Sequence, residues 1–209
     1  MAKAMTVTYE AGENLYINVT NRCPCACTFC IRNNGDGAYG SDPLWLEHEP
    51  DMEEMKADLA KRDLTAYRNI VFCGYGEPLM RLHFVCELAK YLREIAPDCC
   101  LRLNTNGLAD IYNPAEAGGT AAEQVAAVFD KVSISLNGGN AAVYNRVTRP
   151  SGGGDAPYET MLRFAGVCRD RGMDVLFTVV DVITPEEIVE ARKKAEELGI
   201  PMEVREYIH

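Results

Sequence analysis

No apolar run in this chain approaches the length needed to cross a bilayer, which excludes a membrane-spanning helix. Positive charge is scarce: 21 lysines and arginines stand against 31 aspartates and glutamates, a formal net charge of -10. That balance excludes a broad electrostatic grip on a nucleic-acid backbone, which needs clustered Lys and Arg. It leaves room for a nucleotide or a short acidic ligand held by a few arginines. Met1 to Glu13 is short and polar and reads as neither signal peptide nor anchor. No repeat, low-complexity tract or Pro/Gly/Ser linker divides the 209 residues, of which 47% are apolar. One domain over residues 1–209, with one substantial core, is therefore expected.

Cysteine, by contrast, is plentiful and concentrated. Four of the nine fall in Cys23-Pro-Cys-Ala-Cys-Thr-Phe-Cys30, just after the apolar run Leu15 to Val19. An odd count, no secretory leader and such close spacing argue against disulfides and for reduced thiols in the cytoplasm. Cys23, Cys27 and Cys30 have the spacing CxxxCxxC, and thiolates in a compact loop are the soft ligands an iron-sulfur cluster needs. Three ligands for four irons leave one iron open to bind a small molecule, whereas four-cysteine ferredoxin sites only pass electrons. Structural zinc is the rival, but zinc sites usually pair two separated knuckles, and no second CxxC or HxxxH follows. The remaining thiols are Cys73, Cys86, Cys99, Cys100 and Cys168. Cys25 stands outside the spacing, either a bystander or an occasional ligand.

Strand-like runs at 14–20, 69–74, 100–105, 131–137, 174–181 and 202–207 alternate with helix-period stretches at 51–62, 81–96, 119–129, 157–171 and 185–198. Strict alternation implies a parallel sheet with right-handed crossovers. Thr184-Pro185-Glu186-Glu187 supplies an N-cap, a proline at the first helical position and a glutamate at the third, and Gly199 supplies the stop. Met52, Met55 and Leu59 form one apolar face, as do Leu82, Val85, Leu88 and Leu92; both read as core.

Several strands alternate in a way that parallel strands covered on both faces do not. Leu101, Leu103 and Thr105 oppose Arg102, Asn104 and Asn106; Val132, Ile134 and Leu136 oppose Ser133, Ser135 and Asn137; Met202 and Val204 oppose Glu203, Arg205 and Tyr207. A curved sheet with a polar inner side fits this pattern: an α/β fold, a partial (β/α)6 barrel of parallel strands with helices outside. One solvent-exposed sheet face is the plainer alternative. Chemistry in such barrels sits at the carboxyl ends of the strands. There the chain places the cysteine loop, Cys73-Gly-Tyr-Gly-Glu-Pro78, Asn104-Thr-Asn-Gly107 and Ser135-Leu-Asn-Gly-Gly139. Singly these are ordinary turns; their joint order is harder to obtain by chance.

The cysteine spacing with Phe29 before the last thiol, together with these loops, resembles the radical S-adenosylmethionine (radical SAM) enzymes. The resemblance implies a 4Fe-4S cluster on Cys23, Cys27 and Cys30, with SAM on the open iron, cleaved reductively to a 5'-deoxyadenosyl radical. Tyr75-Gly76-Glu77, preceded by Gly74, stands where the family binds SAM's methionyl amino group. Tyr75 replaces a glycine there, which suits a backbone contact but not a glycine-only dihedral. Asn104 and Asn106 match a polar strand end near SAM, Ser135 and Asn137 a segment near its ribose or carboxylate, and Val180 the adenine site. Over nearly its whole length the chain also resembles the TatD-linked radical SAM proteins, through Asn14 to Cys25, Phe29 to Asn33, Tyr39 to Leu46, Val71 to Pro78 and Val204 to Ile208. That likeness implies a functional link to a TatD-type hydrolase and names no substrate.

For substrate, the long loop from Arg32 to Pro50 carries Trp45, as a lid or stacking surface or as a hydrophobic plug. Arg102, Arg205 and Tyr207 face the lumen in this reading, and lumenal arginines suit a carboxylate or phosphate unless neighbours such as Glu203 pair with them. Arg146 and Arg149 are alternatives for SAM's carboxylate. The expected partners are a small-molecule or peptide substrate and an electron donor such as flavodoxin or ferredoxin. The chain ends one residue after the last strand run, so a single cluster is expected. Roles like 7-carboxy-7-deazaguanine synthase or a glycyl-radical activase are the enzymatic alternatives; a non-catalytic iron-sulfur or zinc module, serving as carrier or scaffold, is the other.

Overall fold

The computed structural model describes residues 1–113 and 119–208. Among these residues seven strands form one open sheet in chain order: β1 (Thr8–Ala11), β2 (Asn14–Ile17), β3 (Asn69–Phe72), β4 (Leu101–Thr105), β5 (Lys131–Ser135), β6 (Asp174–Val180) and β7 (Met202–Arg205). β2 to β7 are mutually parallel and correspond to the six expected runs, each trimmed at one end. The sheet curves as a partial barrel and does not close. β1 was not expected. It pairs antiparallel with β2 through a tight turn at Gly12, whose φ of 59° suits glycine, and sets Tyr9 opposite Tyr16.

Among the described residues seven α-helices lie between the strands: α1 (Met52–Leu59), α2 (Leu82–Ile95), α3 (Ala109–Tyr112), α4 (Ala121–Ala126), α5 (Ala141–Thr148), α6 (Ala156–Asp170) and α7 (Pro185–Glu197). Capping boxes start three of them, Asp51 with Glu54, Thr120 with Glu123, and Thr184 with Glu187. The expected helix at 119–129 shortens to α4. The additions are α3 and α5, short helices in the loops after β4 and β5. α5 begins at Asn140, whose side chain accepts from Val143 N at 3.0 Å, and ends at Arg149 in a left-handed conformation ahead of Pro150.

The core lies between the sheet's outer face and the helices. Leu15, Ile17, Ile70, Phe72, Leu101, Leu103, Ile134 and Phe177 are fully buried there against Val85, Leu88, Leu92, Met161 and Phe164. Each such side chain contributes about 1.5–3 kcal/mol by leaving water. The opposite side chains of the same strands, among them Tyr16, Asn104, Ser135, Thr178 and Arg205, point into the concave side and line an open cavity. The helices therefore cover one face only, and the polar half of the alternation is the price of a lumen.

Candidate active site

The cysteine loop leaves β2 and is clamped on three sides. On one, Arg22 pairs with Glu49 at 2.6 Å, Thr20 Oγ1 donates to the same carboxylate at 2.6 Å, and Asn21 exchanges two hydrogen bonds with the Leu46 backbone. On the second, Ala26 N and Thr28 N donate to the last carbonyls of α5, and Ser151 N donates to Pro24 O at 2.8 Å. On the third, Glu77 N donates to Arg22 O at 2.8 Å. Gly76 makes this last approach possible, since a Cβ there would lie 2.7 Å from Arg22 O and closer still to Thr20 O. Both are backbone atoms with little room to yield. Gly76→Ala should therefore lower stability by about 1–3 kcal/mol and loosen the cysteine loop, checked by denaturant melts and by thiol accessibility.

Cys27, Phe29 and Cys30 face a cavity of about 610 Å³ at the carboxyl ends of the strands. Gly74, Tyr75, Asn104, Ser135, Asn137, Val180, Arg205 and Tyr207 line the same cavity, so eleven of the seventeen expected residues converge. Cys23 lies beside them without lining it. Cys25 is buried and its Sγ accepts from Asn106 Nδ2 at 3.7 Å. The neighbouring Cys25 thiol holds the Cys23 thiol down to about 6 and lowers that of Cys27 as well, aided by the Arg32 charge. Burial raises Cys30.

Tyr75 answers the question its substitution raised. It has an ordinary negative φ, so no glycine is required there; its hydroxyl donates to Gly35 O at 2.9 Å and its ring meets Trp45 edge-on at 5.2 Å. Asn137 does adopt a left-handed conformation, φ 49°, and its Oδ1 accepts from Val180 N at 3.2 Å, tying the ends of β5 and β6 together.

Five other expected residues do not line the cavity. Gly76 packs against the cysteine loop backbone. Glu77 is buried, with its carboxylate committed to Thr105 Oγ1 at 2.7 Å, Asn106 N at 2.8 Å and Leu79 N at 3.1 Å. Asn106 turns to Cys25, and its Oδ1 accepts from Leu108 N. Trp45 sits behind Tyr75, packed against a cluster with Tyr9, Ala38 and Leu44. Arg102 does face the concave side, but one pleat repeat below Asn104, roughly 7 Å along the strand. It bonds Asn104 Oδ1 at 3.1 Å and Ser133 Oγ at 2.7 Å and opens on the amino-end depression with Arg68, Lys131 and Glu203. Of the two other arginines, Arg146 pairs with Glu187 at 2.7 Å on the surface, and Arg149 lies outside the cavity.

Residues not expected also line the cavity. Tyr9 and Tyr16 stack at 5.1 Å, Tyr39 stacks on Tyr16 at 6.4 Å, and Cys73, Thr178 and Glu206 are also part of the wall. Alternation along their own strands, against the buried Leu15 and Ile17 and the buried Phe177 and Val179, is the signal that finds Tyr16 and Thr178. The Tyr9 signal was the alternation around Gly12.

A radical SAM superfamily family model matches residues 17–199. The chain belongs to the radical SAM superfamily. Members of that superfamily are enzymes. No curated protein matches the sequence. Among solved structures, Streptococcus suis SuiB bound to the precursor peptide SuiA is similar with a TM-score of 0.68 and 16% identity, covering 94% of this chain and 39% of SuiB. SuiB bound to S-adenosylmethionine gives 0.64 and 16%, covering 94% and 39%. Methylornithine synthase (PylB) gives 0.60 and 12%, covering 93% and 53%. This radical SAM chain thus spans about two fifths of the length of SuiB and half that of PylB.

The residues fit the cluster the superfamily implies. Among the described residues no three His, Cys, Asp or Glu side chains gather into a single-ion site. A 4Fe-4S cluster takes one thiolate on each of three irons, and Cys23, Cys27 and Cys30 would supply three from one clamped loop, two of them opening on the cavity.

Proposed function

We propose that Cys23, Cys27 and Cys30 hold a 4Fe-4S cluster and that the cavity binds SAM against it. Bound there, the two would supply a 5'-deoxyadenosyl radical that abstracts hydrogen from an anionic small-molecule or peptide substrate. The observation that carries the reading is the convergence of Cys27 and Cys30 with Asn104, Ser135, Asn137 and Val180 on one 610 Å³ space. Gly74 and Tyr75 present backbone to SAM's amino end, while Asn104 and Ser135 offer amide and hydroxyl groups to its polar atoms. Phe29 and the tyrosine stack exclude water from one wall. Arg205 is the cation of the lining and forms no ion pair among the described residues, which favours a carboxylate or phosphate on the substrate, with Tyr207 beside it. A peptide bound to SuiB supports the peptide version. The TatD link rests on the shared sequence stretches alone, and the single-domain, cytoplasmic reading on composition.

Anaerobic reconstitution with iron and sulfide, followed by reduction and addition of SAM, should yield about four irons per chain and 5'-deoxyadenosine. Iron or zinc with no SAM bound would support the carrier or scaffold instead. Cys25→Ser should keep the iron, since the three thiols at the CxxxCxxC spacing remain and Cys25 Sγ is engaged by Asn106.

A further inference from the structure

The outer side of the cysteine loop carries a second depression, of about 360 Å³, lined by Ala26, Cys27, Thr28, Cys30, Arg32, Asn33 and Arg149. Cys27 and Cys30 belong both to this depression and to the inner cavity, so the loop is a thin wall between them. The lining holds two arginines and no carboxylate, on a chain with ten more acidic than basic residues. Arg149 is exposed and makes no ion pair among the described residues. It also occupies the left-handed cap of α5 with φ 48°, a position glycine takes at lower cost, so the local fold gives no reason for an arginine. Arg32 is fixed beside it by a bond from Nη2 to Cys25 O at 3.2 Å.

We infer that this depression is the docking surface for the electron donor, an acidic one-electron carrier protein whose carboxylates meet Arg149 and Arg32. The inference rests on the cluster reading above. One electron passes from the carrier to the oxidised cluster across the Cys27 and Cys30 wall; the carrier is oxidised by one electron, the cluster reduced by one, and no bond is made or broken. Elsewhere the two acidic proteins repel, so a local basic patch selects the one orientation that brings the carrier to the cluster.

The test uses the reconstituted full chain and two reductants, reduced flavodoxin and photoreduced 5-deazaflavin, with cluster bleaching followed by anaerobic stopped flow. With flavodoxin, the wild-type rate should fall steeply with added salt. Arg149→Glu should lower it about tenfold or more at low salt, within the range that electrostatic steering spans, and Arg149→Lys should restore most of it. The small photoreductant should reduce all three at the same rate. Arg149→Gly, which relaxes the left-handed cap, separates charge from folding: it should melt no lower than wild type and still lose flavodoxin rate. Equal slowing with both reductants, or no slowing with flavodoxin, would overturn the docking surface. A wild-type chain that holds no iron would sink the cluster reading first, and iron analysis shows that before any rate is measured.

Discussion

Alanine at Cys23, Cys27 or Cys30 is expected to strip the cluster from the reconstituted chain and to reduce 5'-deoxyadenosine formation by more than about a hundredfold. Loss of a supporting partner around a metal site costs about 10–100-fold, and loss of a ligand from a three-thiolate set should exceed it. The loop itself should survive, because its clamps do not use the thiols: Arg22 and Thr20 hold Glu49, Asn21 holds Leu46, and the α5 carbonyls hold Ala26 and Thr28. Iron content and deoxyadenosine should therefore collapse while the melting temperature of the metal-free chain stays within a few degrees. Cys86→Ala and Cys168→Ala are the matched controls. Both thiols are buried in the helix-facing core, where burial pushes them up to about 11 and about 12, and neither reaches the cavity. If all three loop variants keep wild-type deoxyadenosine, the cluster assignment is wrong.

The same contrast explains what the sequence made legible. Thiol spacing, strand order and the polar half of each strand are local or periodic, and the six parallel strands, the lumen and the thiol loop were all readable from them. What escaped was set by register and depth. Arg102 and Asn104 have the same parity, so alternation puts both in the lumen. Only the stagger of β4 against β5, Asn104 opposite Ser133, shows that Arg102 opens at the far end. Tyr9 needed β1 to be recognised, and a four-residue strand with one polar turn is a weak signal. Glu77 fell in a turn with the right neighbours for ligand contact, yet its depth depends on how tightly Gly76 lets two loops approach.

Glu77 should consequently behave as a structural carboxylate with a pH signature. It accepts from Thr105 Oγ1, Asn106 N and Leu79 N, and its own N–H reaches Arg22 O, so it joins the ends of β3 and β4 to the cysteine loop. Glu77→Ala leaves three donors without their acceptor; at about 1–3 kcal/mol for each group, not additive, a loss of about 3–5 kcal/mol is expected. Burial, reinforced by the charge of Cys23, raises the Glu77 carboxyl from 4.5 to about 7. The folded chain therefore holds this proton more tightly than the unfolded chain. The stability it contributes is fully present below about pH 4.5 and is lost as pH rises through about 7, an effect on the order of 3 kcal/mol. Urea melts of the metal-free chain at pH 5 and pH 8 should show this difference in the wild type, over and above other titrations. Glu77→Gln, which cannot titrate, should remove that part of it. An unchanged pH dependence in Glu77→Gln would mean that the carboxyl titrates alike in both states, and that its three bonds, rather than its depth, decide its charge.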